Sequence, residues 1–183
     1  MTRTKWILFR VLIVMIVATV GLIILAQTDK PTPPPDVDAA PPSPITQWLD
    51  VSQENWRLSI PVANWQPQSV SDPDVKLFLV DDKWVIMLVK QETDSELPDF
   101  AANVLRDFSI DGATIYSIYQ ISLHDQEFVE AEVAKHRAVM WIWMTTKGGY
   151  GYGLVCGGGI DPDAGTSMYD MCQSVSNTFH IDQ

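Results

Sequence analysis

Residues 138–159 read AVMWIWMTTKGGYGYGLVCGGG, and residues 166–179 read TSMYDMCQSVSNTF. In the opening run one parity carries Val139, Trp141, Trp143 and Thr145, and the other carries Ala138, Met140, Ile142 and Met144. Neither face is written for water, so the strand needs cover on both sides. Lys147, Gly148 and Gly149 predict a reversal. In the returning run, Tyr150 to Cys156, Gly151 and Gly153 leave one parity without side chains while Tyr150, Tyr152 and Leu154 occupy the other. A bare parity predicts a neighbour packed flat on the backbone, with a ligand groove as the alternative.

The segment that follows predicts a helix. Met168, Met171, Cys172, Val175 and Phe179 fall on one face at helical spacing, a docking stripe, and Ser167 with Asp170 resembles a capping box. Cys156 and Cys172 are the only cysteines in the chain. A disulfide pinning the helix to the sheet is the economical expectation, against two buried thiols. The spacing fits neither a redox CxxC nor a zinc site.

A chain of 183 residues suits one domain plus tails. Four of the 12 basic side chains (Arg3, Lys5, Arg10, Lys30) and one of the 23 acidic ones (Asp29) lie in the first 30 residues. Beyond Lys30, eight bases therefore face 22 acids, a net charge of −14. Such a surface repels a phosphate backbone, which disfavours nucleic acid as a partner.

Trp6 to Ala26 is an apolar run of 21 residues broken only by Arg10. As a helix it would reach about 31 Å, enough to span a bilayer, with Arg10 snorkelling near one end. Basic residues precede it, so the positive-inside rule puts residues 1–5 in the cytoplasm and the remainder on the periplasmic or outer side. The span at 6–26 reads as an uncleaved signal anchor, a single-pass tether to the cytoplasmic membrane. A cleaved signal peptide is the rival, although Ile24 is bulky where a cleavage site wants a small residue. Residues 27–45 include KPTPPPDVDAAPPSP, an extended spacer. The folded domain is expected at 46–183.

Within it, Trp56, Leu58 and Ile60 alternate with polar residues as a half-buried strand. Val75–Val80 and Lys83–Lys90 form a hairpin whose turn holds Asp81 and Asp82. A helix from about Pro98 to Ser109 offers Phe100, Val104 or Leu105, and Phe108 on one side. Thr114–Leu123 and Phe128–Ala134 read as strands, with Glu127, Glu130 and Glu132 on a solvated face or a guarded edge. The order predicts an α+β fold, an antiparallel sheet sandwiched between helices.

Chemistry is sparse. His124, His136 and His180 are scattered over a loop, a strand junction and the expected last turn of the closing helix, with no HxH or HExxH spacing. A Cys156 nucleophile served by His136 lacks an acid to order it. Asp161 and Asp163 sit in GGGIDPDAGTS as in a calcium loop, but Cys172 stands where the bidentate acid belongs. They are weak metal candidates at best. No cofactor is implied, and no enzyme activity is expected.

The pattern WRLSIPVANWQ, a hairpin, the LPDFAANVLRDF helix, a meander through MWIWMTT and GYGLVC, and the ending CQSVSNTF resembles the PsbP-like family over roughly Ser52 to Ile181. That family includes extrinsic photosystem subunits and bacterial envelope relatives. The resemblance implies an α/β/α sandwich acting as a non-catalytic binding or assembly module, and it transfers no functional residue. The membrane anchor and proline spacer depart from the family pattern. The expected function is a membrane-anchored extracytoplasmic adaptor or assembly subunit with an envelope protein partner. Trp65, Trp84, Tyr116 and Tyr119 are the candidate partner-binding aromatics. The alternative is a small-ligand or metal-binding sensor domain of the envelope.

Overall fold

The computed structural model of the chain describes residues 47–53, 55–61, 65–81, 84–159 and 165–182. The expected span at 6–26, the proline spacer, Asp82, Asp161 and Asp163 lie outside these residues. Among the described residues no helix is long and apolar enough to cross a membrane.

Among the described residues ten strands and two helices follow in the order β1 (Trp48–Gln53), β2 (Trp56–Pro61), β3 (Gln66–Pro67), β4 (Val75–Val80), β5 (Trp84–Glu92), α1 (Leu97–Ile110), β6 (Thr114–Leu123), β7 (Gln126–Lys135), β8 (Ala138–Lys147), β9 (Tyr150–Gly159), α2 (Gly165–Ser176) and β10 (His180–Ile181). Seven strands make one antiparallel sheet in the order β3-β4-β5-β9-β8-β7-β6, and β1-β2-β10 make a second, smaller one.

The two-faced strands sit in the middle, as their apolar parities require. Ala131, Val133, Met140, Ile142, Met144 and Val155 face α1, where Phe100, Ala101, Val104, Leu105 and Phe108 complete one core layer. Trp141, Trp143, Tyr152, Leu154 and Cys156 point the other way, against Met168, Met171, Cys172 and Val175 of α2 and Trp56, Leu58 and Ile60 of β2. The small sheet is what the sequence reading lacked. β2 joins no strand of the large sheet; it shares the second face with α2.

Local details explain the joints. Gly148 and Gly149 make the β8–β9 turn with φ of 59° and 80°, the left-handed region a two-residue hairpin turn demands. The helix α2 starts at Gly165, so Ser167 lies inside it and is not its cap. His180 is likewise not helical: the helix ends at Ser176, and His180 pairs with Arg57 as part of β10. Thr178 fastens that junction, its hydroxyl accepting the Ser59 N–H at 2.9 Å.

Cys156 and Cys172 are joined in a disulfide between β9 and α2, both fully buried, with Cα atoms 5.5 Å apart. The bond closes a short loop and should contribute about 3 kcal/mol. Replacing both cysteines with alanine is therefore expected to lower the urea midpoint by an equivalent amount, and an unchanged midpoint would remove the bridge from the account of stability. On the opposite face a Cβ at Gly151 would come within 2.3 Å of the Phe100 ring, while one at Gly153 would meet nothing within 4 Å. Gly151→Ala should then cost about 1–3 kcal/mol. Gly153→Ala, beside an apolar cavity of about 20 Å³, should be neutral or gain up to about 1 kcal/mol; equal losses at both positions would contradict the packing described.

Candidate binding surface

The four expected aromatics do not come together. Trp65 precedes β3, one edge strand of the large sheet; Trp84 opens β5, the third strand in; Tyr116 and Tyr119 lie on β6, the other edge. Trp65 is half-buried, packed against the core, and its indole N–H donates to the Pro61 carbonyl at 2.7 Å. Trp84 is also half-buried. Its backbone N–H donates to the Asp81 carboxylate at 2.7 Å, and the Asp81 N–H donates back to the Trp84 carbonyl at 3.0 Å, so Asp81 builds the hairpin turn.

The β6 edge differs. Tyr116, Ile118 and Tyr119 are 66%, 55% and 60% exposed, and among the described strands β6 pairs with β7 alone. A bulge between Ile115 and Ser117 throws Tyr116 out of the regular register. From Ser117 to Leu123 the pairing is unbroken. No residue of TIYSIYQISL is charged.

Behind Tyr119 lies a polar contact that the sequence reading placed in solvent. Glu130 is opposite Tyr119 in register and is buried, accepting the Trp143 indole N–H at 3.0 Å. The Tyr169 hydroxyl stands 3.5 Å from its other carboxylate oxygen. Burial, then the Glu130 carboxylate, raises the Tyr169 phenol above its ordinary range, so it remains a donor. The alternation of Glu127, Glu130 and Glu132 with apolar residues suggested a wet face. What it could not show is that α2 covers the middle of it.

The histidines do not stay scattered. His124, in the β6–β7 turn, stacks on His180 of β10 with ring centroids 3.8 Å apart, and its Nε2 lies 2.6 Å from the Asn177 carbonyl. They border an open groove of about 460 Å³ that also takes in Lys147, whose ammonium donates to the Ile181 carbonyl at 2.8 Å. His136 stays apart, exposed in the β7–β8 turn at φ 56°, and the Cys156 sulfur is in the disulfide. His124 and Asp125 both have positive φ, a two-residue hairpin turn, and reading that turn from the sequence would have brought His124 to the sheet end where β10 arrives.

A second concavity, about 980 Å³ and open, runs between β4, the β5–α1 connection and the β8–β9 turn. Lys76 and Lys90 line it together with Asp74, Glu92 and Asp94, so its charge favours neither sign of ligand. The Lys90 ammonium lies over the Tyr150 ring at 4.2 Å, a cation–π contact. Among the described residues no group of three or more His, Cys, Asp or Glu side chains could hold a metal ion.

The architecture defines the class: an α+β sandwich, one antiparallel sheet covered by a helix on one face and by a helix with a small sheet on the other. The fold is PsbP-like. The chain superposes on the solution structure of cyanobacterial PsbP (CyanoP) from Synechocystis with a TM-score of 0.59 and 12% identity, covering 79% of this chain and 98% of that one. Looser likenesses are a Bacteroides thetaiotaomicron protein (TM-score 0.47, 9% identity, 70% of this chain and 45% of that one) and LpqN of Mycobacterium tuberculosis, described as involved in cell envelope biogenesis (TM-score 0.40, 13% identity, 74% and 83%). No family model and no curated protein matches the sequence.

The histidine pair makes stability pH-dependent. Burial first, then His124 and Arg57, push the His180 imidazole below its ordinary value of 6.5, with Asp182 opposing. Lys147, Asp125 and Glu127 are the other charged side chains that line this groove. The unfolded chain thus binds more protons just below that value, so the contribution is complete above pH 6.5 and is lost as the pH falls toward the folded pKa. The denaturation midpoint is expected to drop between about pH 7 and 5.5, and by less in His180→Asn. An identical pH profile for that variant would rule out the pair as the cause.

Proposed function

We propose that the chain is a membrane-anchored, extracytoplasmic subunit that works through protein–protein contacts and performs no chemistry of its own. The observation that carries this reading is the β6 edge, where Tyr116, Ile118 and Tyr119 stand exposed on an uncharged strand. Exposed aromatics with two side-chain torsions bury much area at small entropic cost, which makes them good anchors. The disulfide supports an oxidising compartment. The apolar run at Trp6–Ala26 supports a single-pass tether to the cytoplasmic membrane, and the prolines after it support a spacer that holds the domain off the bilayer.

The open polar cleft beside Lys90 favours a second reading, a small-ligand domain of the envelope. Solubilising the full chain from membranes with mild detergent and identifying what remains bound separates the two. A stoichiometric protein contact that weakens about tenfold or more in Tyr116→Ser/Tyr119→Ser is expected. A chain that retains no protein contact, but melts at a higher temperature with calcium or a small anion, would replace the first reading with the second.

A further inference from the structure

The large sheet has two edges of different kinds. β3, at one end, is two residues long and contains Pro67, a short edge of the sort that resists pairing. β6, at the other, is ten residues long and contains neither proline nor charge. On its outer side the backbone N–H and C=O groups pair with no other described strand. An unguarded edge is a template for another extended strand.

Resting on the contact-surface reading above, we infer that the strand which pairs with this edge is β6 of a second copy, giving a two-fold dimer with one sheet running through both. Charge selects this occupant. Beyond Lys30 the chain carries a net −14, so two copies repel across most faces, whereas β6 brings no charge to its own pairing. The nearest acids on the sheet are Glu127, Glu130 and Glu132 of β7, one strand further in. Across the dimer the two β7 strands would be three strand spacings apart, about 14 Å. That exceeds the Debye length of about 8 Å at physiological salt, so their repulsion is largely screened.

The pleat restricts the geometry further. A strand pairs antiparallel with its own copy about an axis normal to the sheet only if some residue stands opposite itself, because opposed side chains share a face. Within the regular stretch Ser117–Leu123 the middle position is Gln120. With the axis there, Tyr119 lies opposite Ile121 of the copy and Ile118 opposite Ser122, and the bulge at Tyr116 stays outside the pairing. Seven paired residues bury less than the roughly 1,600 Å² of a standard interface, so the dimer is expected to be weak in solution, with a dissociation constant in the micromolar range or above. Anchoring both copies in one bilayer would raise their effective concentration.

Cysteine cross-linking of the full chain in its membrane tests this. Gln120→Cys should form a covalent dimer about tenfold more efficiently than Ala102→Cys, an exposed position on α1. Adding Ile118→Lys should abolish the difference, since it sets one lysine per copy, two like charges in all, in the seam beside the axis. Both positions are at the surface, and an intact Cys156–Cys172 bridge checks folding. Equal cross-linking at positions 120 and 102 overturns self-pairing. If Gln120→Cys then captures a different protein through Tyr116 and Tyr119, the contact-surface reading stands without the second copy. Capture of nothing removes both.

Discussion

The large sheet is apolar on both faces, and the need to keep water off each of them governs the rest of the molecule. In β8, Ile142, Trp143 and Met144 are successive residues, all buried, with side chains that alternate between the two core layers. Burying a side chain of this size contributes about 1.5–3 kcal/mol, so exposing either layer would remove several such contributions at once. The two covers differ because the two faces differ. The α1 face carries Met, Val and Ala and a bare Gly151, and one amphipathic helix lies close enough to fill it with Phe100. The opposite face carries Trp141, Trp143 and Tyr152, and α2 shares its cover with β2 and β10.

The covers are attached by means suited to their sequence distance. α1 follows β5 closely and packs on the sheet through Phe100, Ala101, Val104, Leu105 and Phe108. α2 and β10 come last in the chain and carry the specific ties: the Cys156–Cys172 bridge, the Thr178–Ser59 hydrogen bonds and the Lys147 contact with the Ile181 carbonyl. Each tie joins a late element to an earlier strand, and β2 is about 120 residues before Thr178. Without such ties the small sheet would depend on two residues of β10 to close it.

What the sequence disclosed follows the same physics. The meander β8–β9, its glycine turn and the two helices rest on periodicity within a dozen or so residues and appear in the structure, although the closing helix ends at Ser176, before Phe179; the disulfide rested on the chain having only two cysteines, and it too is present. The separate three-stranded sheet did not show, because Trp56, Leu58 and Ile60 alternate identically whichever sheet they join. Glu130 was misread for a related reason. A period of two marks which residues share a face, and it cannot mark which stretch of that face a helix 40 residues later will cover. The His124–His180 stack needed the tertiary register of β10, and the β6 edge needed the strand order. Tyr116 and Tyr119 were named as aromatics, but Ile118 between them was not.

That strand order bears on what the scaffold can offer. With both faces closed, the large sheet meets solvent along its edges and turns. The edge at β3 is short and ends in proline, while β6 has guards only around its middle: a bulge at Tyr116 on one side and the His124–Asp125 turn on the other. Guarding devices cost a strand its regularity, and the stretch Ser117–Leu123 keeps that regularity although it exposes Ile118 and Tyr119 to water. A surface under no demand beyond solubility would gain from a lysine there, as edges commonly do. On the contact-surface reading proposed above, its absence in a chain this acidic, where a single basic residue would also relieve repulsion, fits an edge kept free for pairing.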